Sequence, residues 1–308
     1  MSNPALISIV LPTYNGARYL ATSIESCIEQ TYPHWELIVI NDCSTDNTLE
    51  IANAFAEKDQ RIRVVSNEQN LKLPMSLNKG FGLANGEYFT WTSDDNYYSK
   101  DALAVMLEAL QNQPNATLVY ADETLIDDDG KVTGTWLMGD VNQHVATWKG
   151  CGGCFLYKRH MQQALKGYDP AMFMIEDYDF FLRGFVQFQY CYLKRADLYY
   201  YRFHPASLTG RYMPYVAVLQ KLVIEKQLDA LSKKIQPNDF ALLLRKLSVH
   251  YMVNKGHAAK YAHYMQLLRK VSFRQWLVTL LYVPVKGFMR FALQAAKSVQ
   301  LFFTQLFG

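Results

Sequence analysis

Residues 88–95 read Tyr-Phe-Thr-Trp-Thr-Ser-Asp-Asp. The first four are aromatic-rich and do not alternate cleanly, the pattern of a buried strand. Asp94 and Asp95 then place two carboxylates at the strand's carboxyl tip. In open α/β sheets the ligand crevice lies outside such tips. Neighbouring carboxylates repel each other unless positive charge sits between them. Mg²⁺ or Mn²⁺ would answer this, because these ions take one or two carboxylates and complete their shell with substrate phosphates. Taken alone, the segment also suits an acidic turn or a helix N-cap, since Ser99-Lys100-Asp101 opens a helix soon after.

The flanking sequence supplies the rest of a sheet. Leu6–Leu11 and Trp35–Asn41 are apolar runs that predict buried strands, and Arg61–Val65 and Glu87–Trp91 predict two more. Helices are expected over 17–31, 46–58 and 73–85, with Asn15 capping the first and Ser44 or Thr45 the second. Alternating strands and helices of these lengths predict a mostly parallel sheet flanked by helices. Beyond residue 100, a helix near 100–112 and strands at Thr117–Ala121, 153–157 and 190–201 are expected. Asp127-Asp128-Asp129-Gly130 reads as a solvated hairpin turn. From 214 onward the pattern is helical.

Half of the residues are hydrophobic, so a sizeable core is available. Met1-Ser2-Asn3-Pro4 has no basic segment before an apolar one, so no secretory leader is expected. The five cysteines are scattered and suggest no disulfide framework. Cys151 and Cys154 have metal-ligand spacing, but with no second such pair nearby they read as structural. The net charge of +3 hides a split. Residues 1–210 hold 16 Lys and Arg against 25 Asp and Glu, a net of −9, whereas residues 211–308 hold 15 against 3, a net of +12. This predicts a domain over 1–210 and a basic helical region over 211–308 with an anionic partner.

From Phe273 to Phe307 apolar residues alternate with Lys286, Arg290 and Lys297. The apolar stretch 276–285 is too short to span a bilayer. The mixture suits a peripheral contact through 270–308 with the inner face of a membrane, or packing on protein or a second subunit. The region lacks a nucleic-acid module and is rich in Leu, Phe and Tyr, which argues against nucleic acid.

Four segments carry the chemistry. Pro12-Thr13-Tyr14-Asn15 ends the first strand, Asn41-Asp42-Cys43-Ser44 the second, and Ser93-Asp94-Asp95 the fourth. No glycine-rich phosphate loop follows the first strand, so phosphates would need a metal. Ile175-Glu176-Asp177-Tyr178-Asp179 reads as an acidic helix start that could hold a general base. A glycoside hydrolase also needs two carboxylates, but neither a metal pair nor a nucleotide pocket.

Six ordered stretches covering about residues 6–210 resemble the family 2 glycosyltransferases. These are Val10–Asn15, Gln30–Thr48, Asn70–Tyr88, Thr92–Asn96, Glu176–Tyr178 and Tyr201–Ser207. The resemblance implies a GT-A fold, Rossmann-like, with a helical C-terminal extension, and a single inverting transfer from a nucleotide-diphosphate sugar, most simply UDP-linked. The acceptor would be a saccharide or lipid-linked saccharide used in cell-surface polysaccharide synthesis. It implies a nucleotide-sugar pocket of Pro12, Thr13, Tyr14, Asn15 and Asp42, extended by Lys72, Asn78, Ser93 and Asp94. Asp42 would accept from the uracil ring. Asp95, with Asp94 and His204, would hold Mn²⁺ or Mg²⁺, and Asp177 would be the base. Trp148, Gly152, Glu176 and Tyr178 fall where acceptor contacts are expected. The implied location is cytoplasmic, at the inner membrane face, with oligomers allowed. The chain departs from the family where Thr92 replaces a common acid and where Cys43 and Lys72 replace common glycines. It has no QxxRW segment, so it lacks the mark of a processive synthase. The rival reading is a non-catalytic membrane-associated scaffold that kept the fold.

Overall fold

The computed structural model describes residues 4–204, 207–253 and 257–281. It divides into two compact units, one ending at Gln227 and one beginning at Leu228.

The first unit is built on a seven-stranded sheet. In chain order its elements begin with β1 (Ile7–Thr13), α1 (Leu20–Ile28), β2 (Trp35–Asn41), α2 (Thr48–Ala56), β3 (Ile62–Ser66), α3 (Lys72–Leu83), β4 (Tyr88–Trp91) and a short β5 (Tyr97–Tyr98). There follow α4 (Ala102–Asn112), β6 (Ala116–Ala121), β7 (Glu123–Ile126), β8 (Val132–Trp136), β9 (Phe155–Lys158) and α5 (Arg159–Leu165). A 3₁₀ turn (Pro170–Met172), α6 (Glu176–Gln187), β10 (Gln189–Leu193), β11 (Tyr199–Arg202) and α7 (Leu208–Lys226) complete it.

The large sheet runs β10-β6-β9-β4-β1-β2-β3. Only β9 runs antiparallel to its neighbours. The central strands β1 and β2 read as continuous apolar runs because helices cover both faces, and Ile7, Ile9, Val10, Leu11 and Leu37–Ile40 are fully buried. Chain order reverses at β1, whose neighbours are β4 and β2. That reversal opens a crevice beyond the carboxyl tips of β1 and β4. A smaller sheet, β5-β11-β7-β8, lies beside the large one in sequence order and carries the hairpin turn at 127–130.

Two local expectations are corrected. The stretch 190–201 is two strands in different sheets, because Lys194-Arg195-Ala196-Asp197 breaks it and Arg195 pairs with Asp197 at 2.6 Å. Neither Asn15 nor Ser44 nor Thr45 caps a helix. The N-cap positions are Tyr19 and Asn47, and neither makes a side-chain cap bond. The polar residues of the two loops bond to each other instead.

The second unit contains α8 (Leu228–Lys234), α9 (Pro237–Val253), α10 (Ala258–Val271) and further helix over 273–281. Helices α9 and α10 pack on each other, burying Leu243, Leu244, Leu247 and Leu268. The charge split near 210 falls at the start of α7, which packs against α6 inside the first unit.

Two glycines of α3 carry opposite expectations. A Cβ on Gly80 would collide with the Val10 side chain, so Gly80→Ala is expected to destabilise by about 1–3 kcal/mol. A Cβ on Gly82 meets nothing within 4 Å, so Gly82→Ala is expected to stabilise by about 0.5–1 kcal/mol through helix propensity. Urea midpoints of the two variants check both signs.

Candidate active site

The loops after β1 and β2 clasp each other. The Asn15 backbone N–H donates to Ser44 Oγ at 3.0 Å, and Asn15 Oδ1 accepts from the Thr45 N–H at 2.8 Å. Asn15, Cys43 and Lys72 all adopt left-handed backbone, with φ of 54°, 63° and 69°. Glycine suits that region best, so Cys43 and Lys72 hold a conformation that a side chain disfavours. The turn at Lys72 points main-chain N–H groups at Asp42. Asp42 Oδ1 accepts from the Leu71 N–H and from Asn67 Nδ2, both at 2.8 Å, and Oδ2 from the Lys72 N–H at 2.9 Å. One lone pair of Oδ2 is left for a ligand donor. Lys72 therefore serves this site through its backbone, while its side chain is exposed.

At the β4 tip, Thr13 Oγ1 donates to Asp94 Oδ2 at 2.5 Å. Gly16 lies so close that a Cβ there would strike the same carboxylate. Burial, followed by the charge of Asp95, raises the Asp94 carboxyl far above its ordinary range. Asp95 Oδ2 lies 3.1 Å from His204 Nε2, and this partner raises the His204 imidazole. Asp95 Oδ1 is buried with no hydrogen-bond partner. Arg202 holds the main chain around Asp95. Its Nε donates to the Asp95 carbonyl at 3.0 Å, and its Nη1 to the Asp127 and Asp128 carbonyls at 2.7 and 2.8 Å. Tyr19 donates its hydroxyl to Asp128 Oδ1 at 3.0 Å, and the Arg202 guanidinium lies 4.4 Å from the centre of its ring. The hairpin turn at 127–130 is thus part of the scaffold around Asp95.

No group of three His, Cys, Asp or Glu among the described residues is arranged to hold a metal. Asp95 and His204 supply two donors, and the orphaned Asp95 oxygen is the kind of group a divalent cation satisfies. Two protein donors fit a divalent cation that would take the rest of its shell from elsewhere.

Glu176, Asp177 and Asp179 occupy the first turn of α6, where the helix dipole favours acids. They divide in role. Asp179 pairs with Arg183 at 2.7 Å, and Arg183 also donates to the Leu165 and Gly167 carbonyls. Asp177 accepts from the Tyr178 N–H at 2.6 Å, and burial raises its carboxyl. Glu176 is 5% exposed with Oε2 unpartnered, and burial and Asp177 push its carboxyl well up.

Several expected ligand contacts are turned elsewhere. Asn78 Nδ2 donates to the Tyr168 carbonyl and its Oδ1 accepts the Tyr168 N–H, both at 2.8 Å, so its amide is a clip between α3 and the loop before α6. Trp148 and Tyr178 are 4% and 2% exposed and pack on each other with ring centres 5.6 Å apart, so they are core and not an open stacking platform. The Ser93 hydroxyl accepts from Asn96 Nδ2 at 2.7 Å and shapes its own loop. Pro12 lies inside β1, paired with Ile40, and Tyr14 projects 52% exposed. Cys151 and Cys154 are buried free thiols.

Glu123 was not singled out by motif or spacing. It is fully buried at the start of β7, and Gly153 N–H donates to its Oε1. Its Oε2 has no partner. A Cβ on Gly152 would strike Glu123, so the two glycines let the 150–153 loop close over this carboxyl. Burial raises it to about 7, with the charge of Asp177 contributing. Tyr199 responds to both Glu123 and Asp95. Gly153 joins Glu123 and Tyr199, its N–H on Glu123 and its α-carbon against the Tyr199 ring, and Tyr199 in turn meets the Thr92 hydroxyl at 2.8 Å. The signal in the sequence is an acid pair, Asp122-Glu123, opening a strand-like Thr-Leu-Ile run.

The model of Glycosyl transferase family 2 matches residues 8–175, more than half of the chain, and its span contains Asp42, Asp94 and Asp95. The chain belongs to glycosyl transferase family 2. Within this family it is similar to TuaG of Bacillus subtilis, whose name assigns it to teichuronic acid biosynthesis. The two are 33% identical over 125 residues, 41% of this chain and 49% of TuaG. It is also similar to the glycosyltransferase EpsE of the same organism, 31% identical over 191 residues, 60% of this chain and 68% of EpsE. The chain thus spans about half the length of TuaG. S. aureus TarS 1–349, solved with UDP-GlcNAc, superposes with a TM-score of 0.63 at 17% identity, covering 87% of this chain and 82% of that one. The mannosyltransferase PcManGT of Pyrobaculum calidifontis, solved with GDP-Man and Mn²⁺, gives 0.57 at 16%, covering 92% and 86%. At such identities the likeness is one of fold, and it bears out the expected GT-A architecture of this family 2 member.

Glu123 makes stability depend on pH. Its carboxyl ionises near 4.5 ordinarily and near 7 in the fold, so between these values the folded state holds a proton that the unfolded chain has lost. Stability from this group is therefore present at low pH and declines as pH rises through that window. Glu123→Gln is expected to flatten the fall in urea midpoint between about pH 5 and about pH 7 relative to the parent.

Proposed function

We propose that this family 2 protein transfers one sugar from a nucleotide-diphosphate donor, UDP-linked in the simplest reading, to a hydroxyl of a saccharide. The acceptor is free or carried on a lipid, and the transfer inverts the anomeric centre. The observation that carries this reading is the orphaned, buried Asp95 oxygen beside His204, in a family member with a half-buried acid, Asp177, in the first turn of a helix. TarS was solved with UDP-GlcNAc and with UDP, and PcManGT with GDP-Man, which supports a nucleotide diphosphate here.

In the proposed reaction Asp177 removes the acceptor proton as the acceptor oxygen bonds to the anomeric carbon. The bond from that carbon to the diphosphate oxygen breaks on the opposite face. An Asp177 carboxyl raised by burial is better matched to a base working near neutrality than an ordinary aspartate. Asp42 offers its remaining lone pair to a ring N–H of the base. Asp95 and His204 would hold Mn²⁺ or Mg²⁺, which when bound offsets charge on the departing diphosphate. Asp94, braced by Thr13 and Gly16, fixes the loop that presents Asp95. These residues all belong to the first unit, which takes in α7 and ends at Gln227, with the basic helical region that follows as its appendage.

The setting proposed is cell-surface polysaccharide synthesis at the cytoplasmic face of a membrane, with peripheral attachment. No helix among the described residues is long and apolar enough to cross a bilayer. A non-catalytic scaffold would have no use for buried carboxyl oxygens left without partners on Asp95, Glu123 and Glu176.

Asp177→Asn is expected to lower transfer by about 100-fold or more, with UDP affinity by calorimetry unchanged. Near-parental turnover would refute the base assignment. UDP release from a panel of nucleotide sugars identifies the donor. Asp95→Ala and EDTA are each expected to abolish that release, whereas full activity in EDTA would refute the metal role.

A further inference from the structure

The helix over 273–281 is built inside out. At about 100° per residue, Trp276, Leu280, Phe273, Leu277 and Leu281 fall in one arc of about 140°. Phe273, Leu277, Leu280 and Leu281 are 59%, 44%, 37% and 66% exposed. The opposite side carries Ser272, Gln275 and Thr279. Thr279 is fully buried and donates to the Gln275 carbonyl at 2.7 Å, and Gln275 Oε1 accepts from Arg245 Nη1 of α9 at 3.3 Å. A helix of a water-soluble unit normally turns its apolar stripe inward. Here the polar edge faces the unit and the apolar arc faces out.

The charge around the arc names what can cover it. Arg274 borders it, and Arg269 and Lys270 are exposed one turn before it. The Arg269 guanidinium lies 5.4 Å from the centre of the Trp276 ring. Asp239 is the last acid of the chain, so residues 240–308 contain ten Lys and Arg and no Asp or Glu. A protein partner would place acids against some of these bases but would not need a whole acid-free run. A layer of anionic headgroups over an acyl interior matches both features at once, with basic side chains reaching headgroups and Trp at the boundary.

We propose that the outward arc of residues 273–281, flanked by Arg269, Lys270 and Arg274, is a docking surface for an anionic lipid bilayer. It gives a specific face to the peripheral attachment proposed above, and its test is read without any transfer reaction.

The test is flotation of the full chain with vesicles of phosphatidylcholine alone and with vesicles of equal parts phosphatidylcholine and phosphatidylglycerol. The chain is expected to float with the anionic vesicles only, and to be released as NaCl rises toward about 1 M. Leu277→Glu is expected to weaken flotation about tenfold or more, since it replaces an inserted apolar side chain with a charge. Arg274→Glu should weaken it through charge alone. Both positions are exposed, so thermal midpoints should match the parent. A parent chain that stays at the bottom of the gradient overturns the proposal, as does undiminished flotation of the Leu277→Glu, Arg274→Glu double variant. A dimer by sedimentation velocity that Leu277→Glu splits, without flotation, assigns the arc to a second copy and equally overturns it. UDP release in the absence of vesicles separately tests the transfer reading, so either can fail alone.

Discussion

Two like charges on consecutive residues, Asp94 and Asp95, sit at a sheet edge where packing strips water from them. Most of the surrounding architecture answers this constraint. Thr13 gives Asp94 a hydroxyl, and Gly16 leaves room for its carboxylate. His204 faces one oxygen of Asp95 and leaves the other unanswered. Arg202 does not neutralise either carboxylate directly. It binds main-chain carbonyls of Asp95, Asp127 and Asp128, so it holds the loops and leaves the two carboxyls without its charge. An arrangement selected for stability alone would have let the guanidinium pair with a carboxylate, since an unpaired buried charge is among the costliest features a fold can keep.

The small sheet exists to serve this edge. Strand β11 delivers Tyr199, Arg202 and His204 from one short segment, and β7 delivers Glu123 at one end and the 127–130 turn at the other. The hydroxyl of Tyr199 meets that of Thr92 at 2.8 Å, tying the β4 tip to β11. Sites that must hold repelling groups in place need supporting residues locked by their own hydrogen bonds, and both sheets supply them.

Much of this was legible from the sequence because the relevant physics is local. β1 and β2 are runs of residues buried on both faces, and their limits follow from apolarity. Asp94, Asp95 and Asp177 stand at element ends, where motif and chemistry coincide. What stayed hidden was non-local. Asn15 and Ser44 have the composition of caps, and only the pairing of loops about 30 residues apart shows their true partners. Asn78 differs from an ordinary helical asparagine only through a contact 90 residues away. Trp148 and Tyr178 could have been exposed or buried, since an aromatic between motifs serves either state. Glu123 carries no spacing signature at all; its role arises from Gly152 and Gly153 folding over it.

The Asn78 clip has a mechanical meaning. Helix α3 begins at Lys72, whose N–H rests on Asp42, and six residues later Asn78 grips Tyr168. The Gly167 carbonyl beside it is held by Arg183 of α6, the helix whose first turn carries Asp177. Six helical residues advance about 9 Å, and neither end of that span is free to slide. The stretch of α3 thus acts as a ruler, fixing the gauge between Asp42 and the helix start that carries Asp177.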